Sequence, residues 1–181
     1  MDALDLMAEA ADDLLARVDR LLGAPDDHPL WTVLRGVRAL PGDAVAAIVA
    51  LRPAELVGAA SGLRELMPAY DNARDALDRP AAWDGAAGDA YAVHAHVLSD
   101  GVASAAAHVL ATSSSAEAVA AWVADARSRV AIELAAVLTS AEAVSLVLGA
   151  PDAQRAAATI AVRVLSVVDD VIAEGAMLVR S

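Results

Sequence analysis

Apolar residues recur along most of this chain at the three- and four-residue spacing of helices that bury one face. Near the N-terminus they occupy the a and d positions of a heptad pattern: Leu4, Met7, Ala11, Leu14, Val18 and Leu21. This helix is expected to end at about Leu22, because Gly23 and Pro25 follow. Strand-like alternation persists nowhere. The sequence therefore predicts an all-α fold, an antiparallel helical bundle built from long helical hairpins with an added N-terminal helix.

Turn-forming residues divide the chain into three segments, which we expect to pack as one compact domain. The segments are an N-terminal helix with short helices at 1–52, a helical hairpin at 53–112 and a C-terminal hairpin at 113–181. In the first segment, Pro41 separates two short helices. In the second, Pro68 should kink the first helix or divide it in two.

The middle segment shows the sharpest periodicity. Its first helix carries a stripe in which large and small residues alternate, and this pattern favours close antiparallel packing. That stripe comprises Leu56, Leu63, Tyr70 and Leu77, with Ala59, Leu66 and Ala73 between them. The stripe of the second helix comprises Tyr91, Leu98, Val102, Ala105 and Val109.

Polar residues predict further breaks in the second half of the chain. The run Thr112–Ser115 is expected to end one helix, and Ser114 with Glu117 has the capping-box spacing that opens the next. That helix carries an apolar stripe at Val123, Val130, Val137 and Val144, with Leu134, Ala141 and Leu148 beside it. A second capping-box pair begins at Thr139, and Gly149–Pro151 predicts a stop before the last helix.

Composition and charge exclude several classes of function. The formal net charge is −12 and all 13 basic residues are arginines, so phosphate backbones would be repelled and nucleic-acid binding is disfavoured. The sequence contains no cysteine, so disulfide and thiolate chemistry are absent. Hydrophobic residues make up 58%, but many are alanines, and no stretch reaches the roughly 18 uncharged apolar residues of a membrane span. We therefore expect no transmembrane segment, and the acidic start does not resemble a cleavable secretory signal.

Candidate chemistry is sparse. His94 and His108 share a helix face, but His96 points elsewhere and no carboxylate completes a ligand set, so no metal site is expected. The adjacent acidic pairs diverge on helices and are typical of a solvated surface: Asp12-Asp13, Asp26-Asp27 and Asp169-Asp170. The sequence also lacks a phosphate-binding glycine loop and a nucleophile elbow. We expect no enzyme, no catalytic residue and no cofactor.

The most informative motif is Trp83-Asp84-Gly85, which joins two apolar helices through a short turn. Gly85 lets the chain reverse without a Cβ clash and lets the helices approach closely. Trp83 is expected either to cover the open end of the hairpin or to insert into a partner. Ala86 and Gly88 keep the second helix slim where it leaves the turn.

Trp83 and Gly85 at a helix–helix turn, followed by Tyr91, resemble the WxG-motif family of small helical-hairpin proteins linked to type VII (ESX-like) bacterial secretion. The resemblance covers about Pro53–Ala111. It implies a helix–turn–helix unit that pairs with a like unit as a four-helix bundle. It also implies a role as a secreted substrate, an export partner or a targeting domain.

Two features depart from that family. Its export signal is commonly a tyrosine with an acidic residue four positions later, whereas here Tyr70 is followed by Arg74 and Tyr91 by Ala95. Typical members are also much shorter. The additional C-terminal hairpin leads to the hypothesis that this chain supplies its own partner surface, which short members obtain by dimerising.

Two functional hypotheses follow. The first is a non-enzymatic protein of type VII-like secretion that binds another helical protein or itself. The alternative is a cytoplasmic acidic immunity or adaptor protein that binds a basic partner. The expected location is the cytoplasm, or outside the cell by a type VII-like route without a cleavable signal.

Overall fold

The computed structural model describes residues 1–79, 84–178 and 180. Within these ranges it contains helices and no strand, which confirms the predicted all-α fold. The helices are α1 (Ala3–Leu21), α2 (Leu30–Val37), α3 (Pro41–Ala50), α4 (Pro53–Arg64), α5 (Met67–Leu77), α6 (Ala86–Leu138), α7 (Ala141–Leu148) and α8 (Ala153–Leu178). The two short helices flanking Pro41, and the division at Pro68 into α4 and α5, are as predicted.

The chain forms two compact units. Met1–Pro53 and Ala121–Ser181 together make the first, here called the terminal unit. Ala54–Ala120 makes the second, here called the hairpin unit. The N-terminal and C-terminal segments of the sequence therefore share one unit, and helix α6 contributes residues to both.

Helix α8 is central to the terminal unit, where it packs against α1, α2, α3 and α7. Its apolar residues form a broad buried stripe: Ile160, Val164, Leu165, Val168 and Val171. Each large side chain removed from water in this way contributes roughly 1.5–3 kcal/mol. The hypothesis that the C-terminal hairpin supplies a partner surface for the middle hairpin requires an exposed apolar stripe on α8. That stripe is instead buried against the N-terminal helices.

The second half of α6 and α8 form the predicted C-terminal hairpin. Glu133 accepts a hydrogen bond from Arg163 at 2.7 Å, while Trp122, eleven residues earlier on α6, reaches the C-terminal part of α8. The indole Nε1 of Trp122 donates to the Val171 carbonyl at 3.2 Å. A Cβ on Gly175 would lie 2.5 Å from the Trp122 ring, so a glycine is needed for this contact. These pairings make the two helices antiparallel.

A buried arginine connects three helices of the terminal unit. Arg127 of α6 is 3% exposed, and its Nε donates to Asp2 at 2.6 Å while Nη2 donates to Asp5 at 2.7 Å. Its Nη1 donates to three carbonyl oxygens at the C-terminal end of α3, those of Ile48, Val49 and Leu51. The same two aspartates form the capping box of α1. One guanidinium thus joins the start of α1 to the end of α3.

The predicted break at Thr112–Ser115 is wrong, because α6 is continuous from Ala86 to Leu138. The hydroxyl of Thr112 donates to the His108 carbonyl at 2.8 Å, within its own helix. The hydroxyl of Ser113 donates to the Ala60 carbonyl of α4 at 3.0 Å. Glu117 pairs with Arg64 instead of capping a helix at Ser114. These polar groups are satisfied without ending the helix.

The break near Thr139 is confirmed, but Ser140 is the residue that caps α7. Its hydroxyl accepts from the Ala143 amide at 3.2 Å. The break rotates the chain, so the predicted stripe does not continue into α7. Val144 and Leu148 are 57% and 76% exposed, and α7 buries Ala143 and Leu146 in their place.

Two stretches have the length and apolar composition that a membrane-spanning helix requires. The first lies within Leu30–Leu77, where an 18-residue window has a mean hydropathy of 1.5. In the structure this stretch is divided among α2 to α5, whereas a span takes about 20 continuous helical residues. The second joins α6 to α7, which are bent by 60° at their junction. Core helices of other proteins can have the same length and apolar composition, so these two properties do not make either stretch a membrane span.

Candidate interaction surface

The turn that carries the WxG-type motif is described from Asp84 onward, and Trp83 lies outside the described residues. Gly85 has φ of +88°, a left-handed value that glycine adopts without strain. Its carbonyl accepts the Asp89 amide at 3.1 Å, which begins α6. Tyr91, six residues after Gly85, is 38% exposed and lines a shallow depression with Leu77. The contacts of Trp83 with the hairpin or with a partner stay a prediction.

The hairpin unit is held together by one seam between α4–α5 and the first part of α6. Ser113 reaches Ala60 and Ser99 reaches Asp78, so the two arms run antiparallel. Along α6 the buried or half-buried seam residues follow the 3–4 spacing of a coiled coil: Gly88, Ala95, Ser99, Val102, Ala106, Val109 and Ser113. On α4–α5 they are Leu56, Ala60, Leu63, Met67, Tyr70 and Leu77.

This seam differs in part from the predicted one. The large residues of the seven-residue repeat do lie in it, and Leu63 is one example. The residues that pack between them are Ala60 and Met67, whereas Ala59 and Leu66 are exposed. The expected small-residue positions Ala59 and Leu66 thus each precede the actual seam residue by one position, which is about 100° around the helix.

Two serines place hydrogen bonds inside the seam. Ser113 is fully buried, and Ser99 is 5% exposed with its hydroxyl donating to Asp78 at 2.9 Å. Because a buried polar group without a partner is costly, these bonds favour one register of the two arms. The sequence predicts a helix end at Thr112–Ser115, and only the tertiary contact of Ser113 with Ala60 reveals the role of this serine in the seam.

Beside the seam, each arm of the hairpin exposes a second stripe at the same 3–4 spacing. On α4–α5 it comprises Glu55, Ala59, Gly62, Leu66, Ala69, Ala73 and Ala76, all exposed. On α6 it comprises Ala87, Tyr91, His94, Leu98, Gly101, Ala105, His108 and Thr112, of which only Ala105 is half-buried. Leu66 and Leu98 are 47% and 46% exposed.

The two exposed stripes lie on one side of the hairpin. All stripe positions except Ala73 and Tyr91 precede a seam position by one residue, so both stripes are rotated from the seam in the same sense. Because the arms are antiparallel, equal rotations bring the stripes to the same side. We call this surface the outer face. Helices of a four-helix bundle carry two such sets, one for the hairpin partner and one for the facing pair.

Charge is unevenly distributed around the outer face. Its stripes contain no arginine, and their one carboxylate is Glu55, with Glu65 at the border. Arg64 turns away and forms an ion pair with Glu117, which raises the Arg64 pKa and lowers that of Glu117 through their hydrogen bonds. The outer face is therefore largely apolar, consists mostly of small residues and has a weakly acidic edge.

The histidines and carboxylates of the described residues are not gathered into a metal-binding arrangement. No group of three or more His, Asp or Glu side chains within the described part of the chain is placed to hold a metal ion. Of the three histidines on α6, which are His94, His96 and His108, His96 lies 3.9 Å from Asp100 on the same exposed helix surface. Comparison with known protein families, curated proteins and solved structures finds no match to this chain.

Proposed function

We propose that this protein is a non-enzymatic interaction protein whose outer face binds a helical partner, in the setting of type VII-like secretion. The observation that carries the proposal is the outer face itself, a second apolar stripe on both arms of one hairpin. The secretion setting rests on the resemblance of the Trp83-Asp84-Gly85 turn to the WxG-motif family. Roles as substrate, export partner or effector-associated component all remain within the proposal.

The hairpin unit buries little apolar volume by itself, which supports a need for a partner. In the part of the unit that the structure describes, the buried residues are small: Ala60, Gly88, Ala95, Ser99, Ser113 and Ala120. Small residues contribute little hydrophobic stabilisation, since the gain scales with buried apolar area at about 25 cal/mol per Å². Docking of a helical pair on the outer face would bury Leu66 and Leu98.

The dimensions of the outer face fit a protein–protein interface. The arm from Pro53 to Leu77 is roughly 35 Å long at about 1.5 Å per residue. Two helices side by side, each about 10 Å across, present roughly 700 Å². A stable interface buries about 800 Å² on each partner, so the outer face is of the right size for one partner hairpin.

Substitution of Leu98 by glutamate tests this role. Leu98→Glu places a charge within the outer face, and we expect it to weaken partner binding by about 100-fold, since burying an unpaired charge is costly. Binding is measured by co-purification and calorimetry with the co-expressed partner. Leu110→Glu is the matched control, because Leu110 is 44% exposed and lies on the opposite side of the same helix, half a turn from His108 and Thr112 of the stripe. Equal binding by both variants would contradict the proposed surface.

The secretion setting has its own test. A tagged copy of the chain is expected in the culture medium of its native host only when the type VII secretion ATPase is intact. Equal amounts in the medium of the ATPase mutant would remove export from the proposal and leave the binding surface untouched.

The alternative function, an acidic adaptor for a basic partner, is favoured by a groove between α1 and α3. Carboxylates line it: Asp5, Glu9, Asp12, Asp19 and Asp43. Two of them have structural roles, because Asp5 pairs with Arg127 and Asp19 accepts the Gly42 amide at 3.2 Å. Charge-reversed Glu9→Lys and Asp12→Lys variants should lose a basic partner if this groove, and not the outer face, is the binding site.

A further inference from the structure

We propose that the occupant of the outer face is a helical hairpin of a different protein, with lysine or arginine flanking its apolar stripe, and not a second copy of this chain. This inference rests on the proposed function, since it names the partner of the same face. It is carried by the charges on and around that face.

The charges at the edge of the outer face are complementary to a basic partner. Glu55 lies within the exposed stripe of α4 and Glu65 borders it. The arginine next to them, Arg64, is engaged by Glu117 and does not offset them. A partner helix laid along α4 would therefore meet unpaired carboxylates at its flanks. Lysine or arginine side chains there would be attracted to these carboxylates, and aspartate or glutamate side chains would be repelled by them.

The whole hairpin unit opposes self-association. It carries nine carboxylates, Glu55, Glu65, Asp71, Asp75, Asp78, Asp84, Asp89, Asp100 and Glu117. Against these stand three arginines, Arg64, Arg74 and Arg79. Two copies placed face to face would bring the carboxylates at the edges of the two outer faces to within roughly one helix diameter, about 10 Å, of each other. That separation is comparable to the Debye length of about 10 Å at 0.1 M salt, so this repulsion is only partly screened. A two-fold symmetric interface would in addition place the same acidic edge on both sides of the contact.

The apolar part of the outer face selects for helices with close-packing surfaces. Gly62 and Gly101 occupy one stripe each, and a Cβ added at either would meet no neighbour within 4 Å. With the small alanines around them, these positions let another backbone approach closely, while Leu66 and Leu98 provide apolar contact. The partner is therefore expected to present an apolar helical stripe and to carry its basic residues at the margins.

Two synthetic helical hairpins test the choice of partner. They share one leucine–alanine stripe and differ only in carrying either lysine or glutamate at the flanking positions. Binding to the full-length chain is measured by calorimetry. We expect the lysine hairpin to bind at least about tenfold more tightly at about 50 mM salt, and the ratio to shrink at about 500 mM salt. A stable dimer of the chain alone in light scattering would overturn the inference.

Variants separate this inference from the proposed function. Leu98→Glu should abolish binding of the lysine hairpin, Leu110→Glu on the opposite side of α6 should retain it, and Glu55→Gln with Glu65→Gln should reduce the preference for lysine. If Leu98→Glu leaves binding unchanged, the contact is general charge attraction, and both the inference and the proposed surface fail. If Leu98→Glu weakens binding but the lysine and glutamate hairpins bind equally, only the inference fails.

Discussion

Arg127 joins parts of the chain that lie far apart in sequence. It lies on α6, is 3% exposed, and donates hydrogen bonds to the start of α1 and the end of α3. No periodic pattern along the chain predicts this role. By contrast, residues whose roles follow from local rules were predicted well. Gly85 has the positive φ expected of the turn glycine, and Pro68 divides its helix.

Replacement of Arg127 by methionine should lower the free energy of unfolding by about 1–3 kcal/mol, because the carbonyls of Ile48, Val49 and Leu51 lose the guanidinium donor. The Ile48 and Val49 carbonyls keep the Leu51 amide and the Arg52 side chain as donors, which limits the loss. The loss is expected to stay below the cost of stranding a fully buried charge, since Asp2 is 49% exposed and can be hydrated. Chemical denaturation measures it. Arg129→Met is the control, because Arg129 is 31% exposed and its pair with Glu174 lies at the surface. Equal losses in the two variants would contradict a special role for Arg127.

The same variant should also change the response to acid. Hydrogen bonding to Arg127 holds the pKa of the Asp2 carboxyl well below its usual range. The pKa of the Asp5 carboxyl is lowered by the Asp2 amide and by Arg127. A carboxyl whose pKa is lower in the folded than in the unfolded state stabilises the protein above about pH 4. This stabilisation is lost as pH falls further. Wild-type stability should therefore fall more steeply than that of Arg127→Met below about pH 4, and parallel curves would contradict this coupling.

At the scale of elements, periodicity predicted which segments are helical but not where polar residues end them. The serine-rich run in the middle of α6 has the composition of a cap, and only the presence of α4 opposite it turns Ser113 into a seam residue. The choice between the two stripes of the hairpin was also beyond a single-helix pattern. Stripes one residue apart have the same spacing, and the partner arm decides which of them is buried.

Alanine substitutions at two adjacent serines distinguish the continuous helix from the predicted break. Ser113→Ala should cost about 1 kcal/mol, because the buried Ala60 carbonyl loses its donor within the seam. Ser114→Ala should be neutral or slightly stabilising, since Ser114 is exposed within a helix and alanine has the better helix propensity. A helix that began at Ser114 would give the opposite order, with the larger loss at the cap. Thermal unfolding of the two variants measures the difference.

At the scale of the whole molecule, the two units differ in how much apolar surface each one buries. The terminal unit has a contiguous core of large aliphatic residues, whose members include Leu4, Leu134 and Leu165. Among its described residues, the hairpin unit buries alanine, glycine and serine, and the large apolar ones are at most half-buried. Local stability follows buried apolar contact, so the two units should open with different free energies.

Hydrogen exchange of the isolated protein tests this difference. Amides of α4 and α5 should exchange faster than those of α8 by at least about tenfold, because opening of the hairpin unit exposes little apolar area. A partner on the outer face would bury Leu66 and Leu98, so α4 and α5 should gain protection when it is added, while α8 stays unchanged. A partner that bound the acidic groove would instead protect α1 and α3. Slow exchange in α4 and α5 without any partner would mean that the hairpin unit is stable by itself, and the outer face would lose its main support as a binding surface.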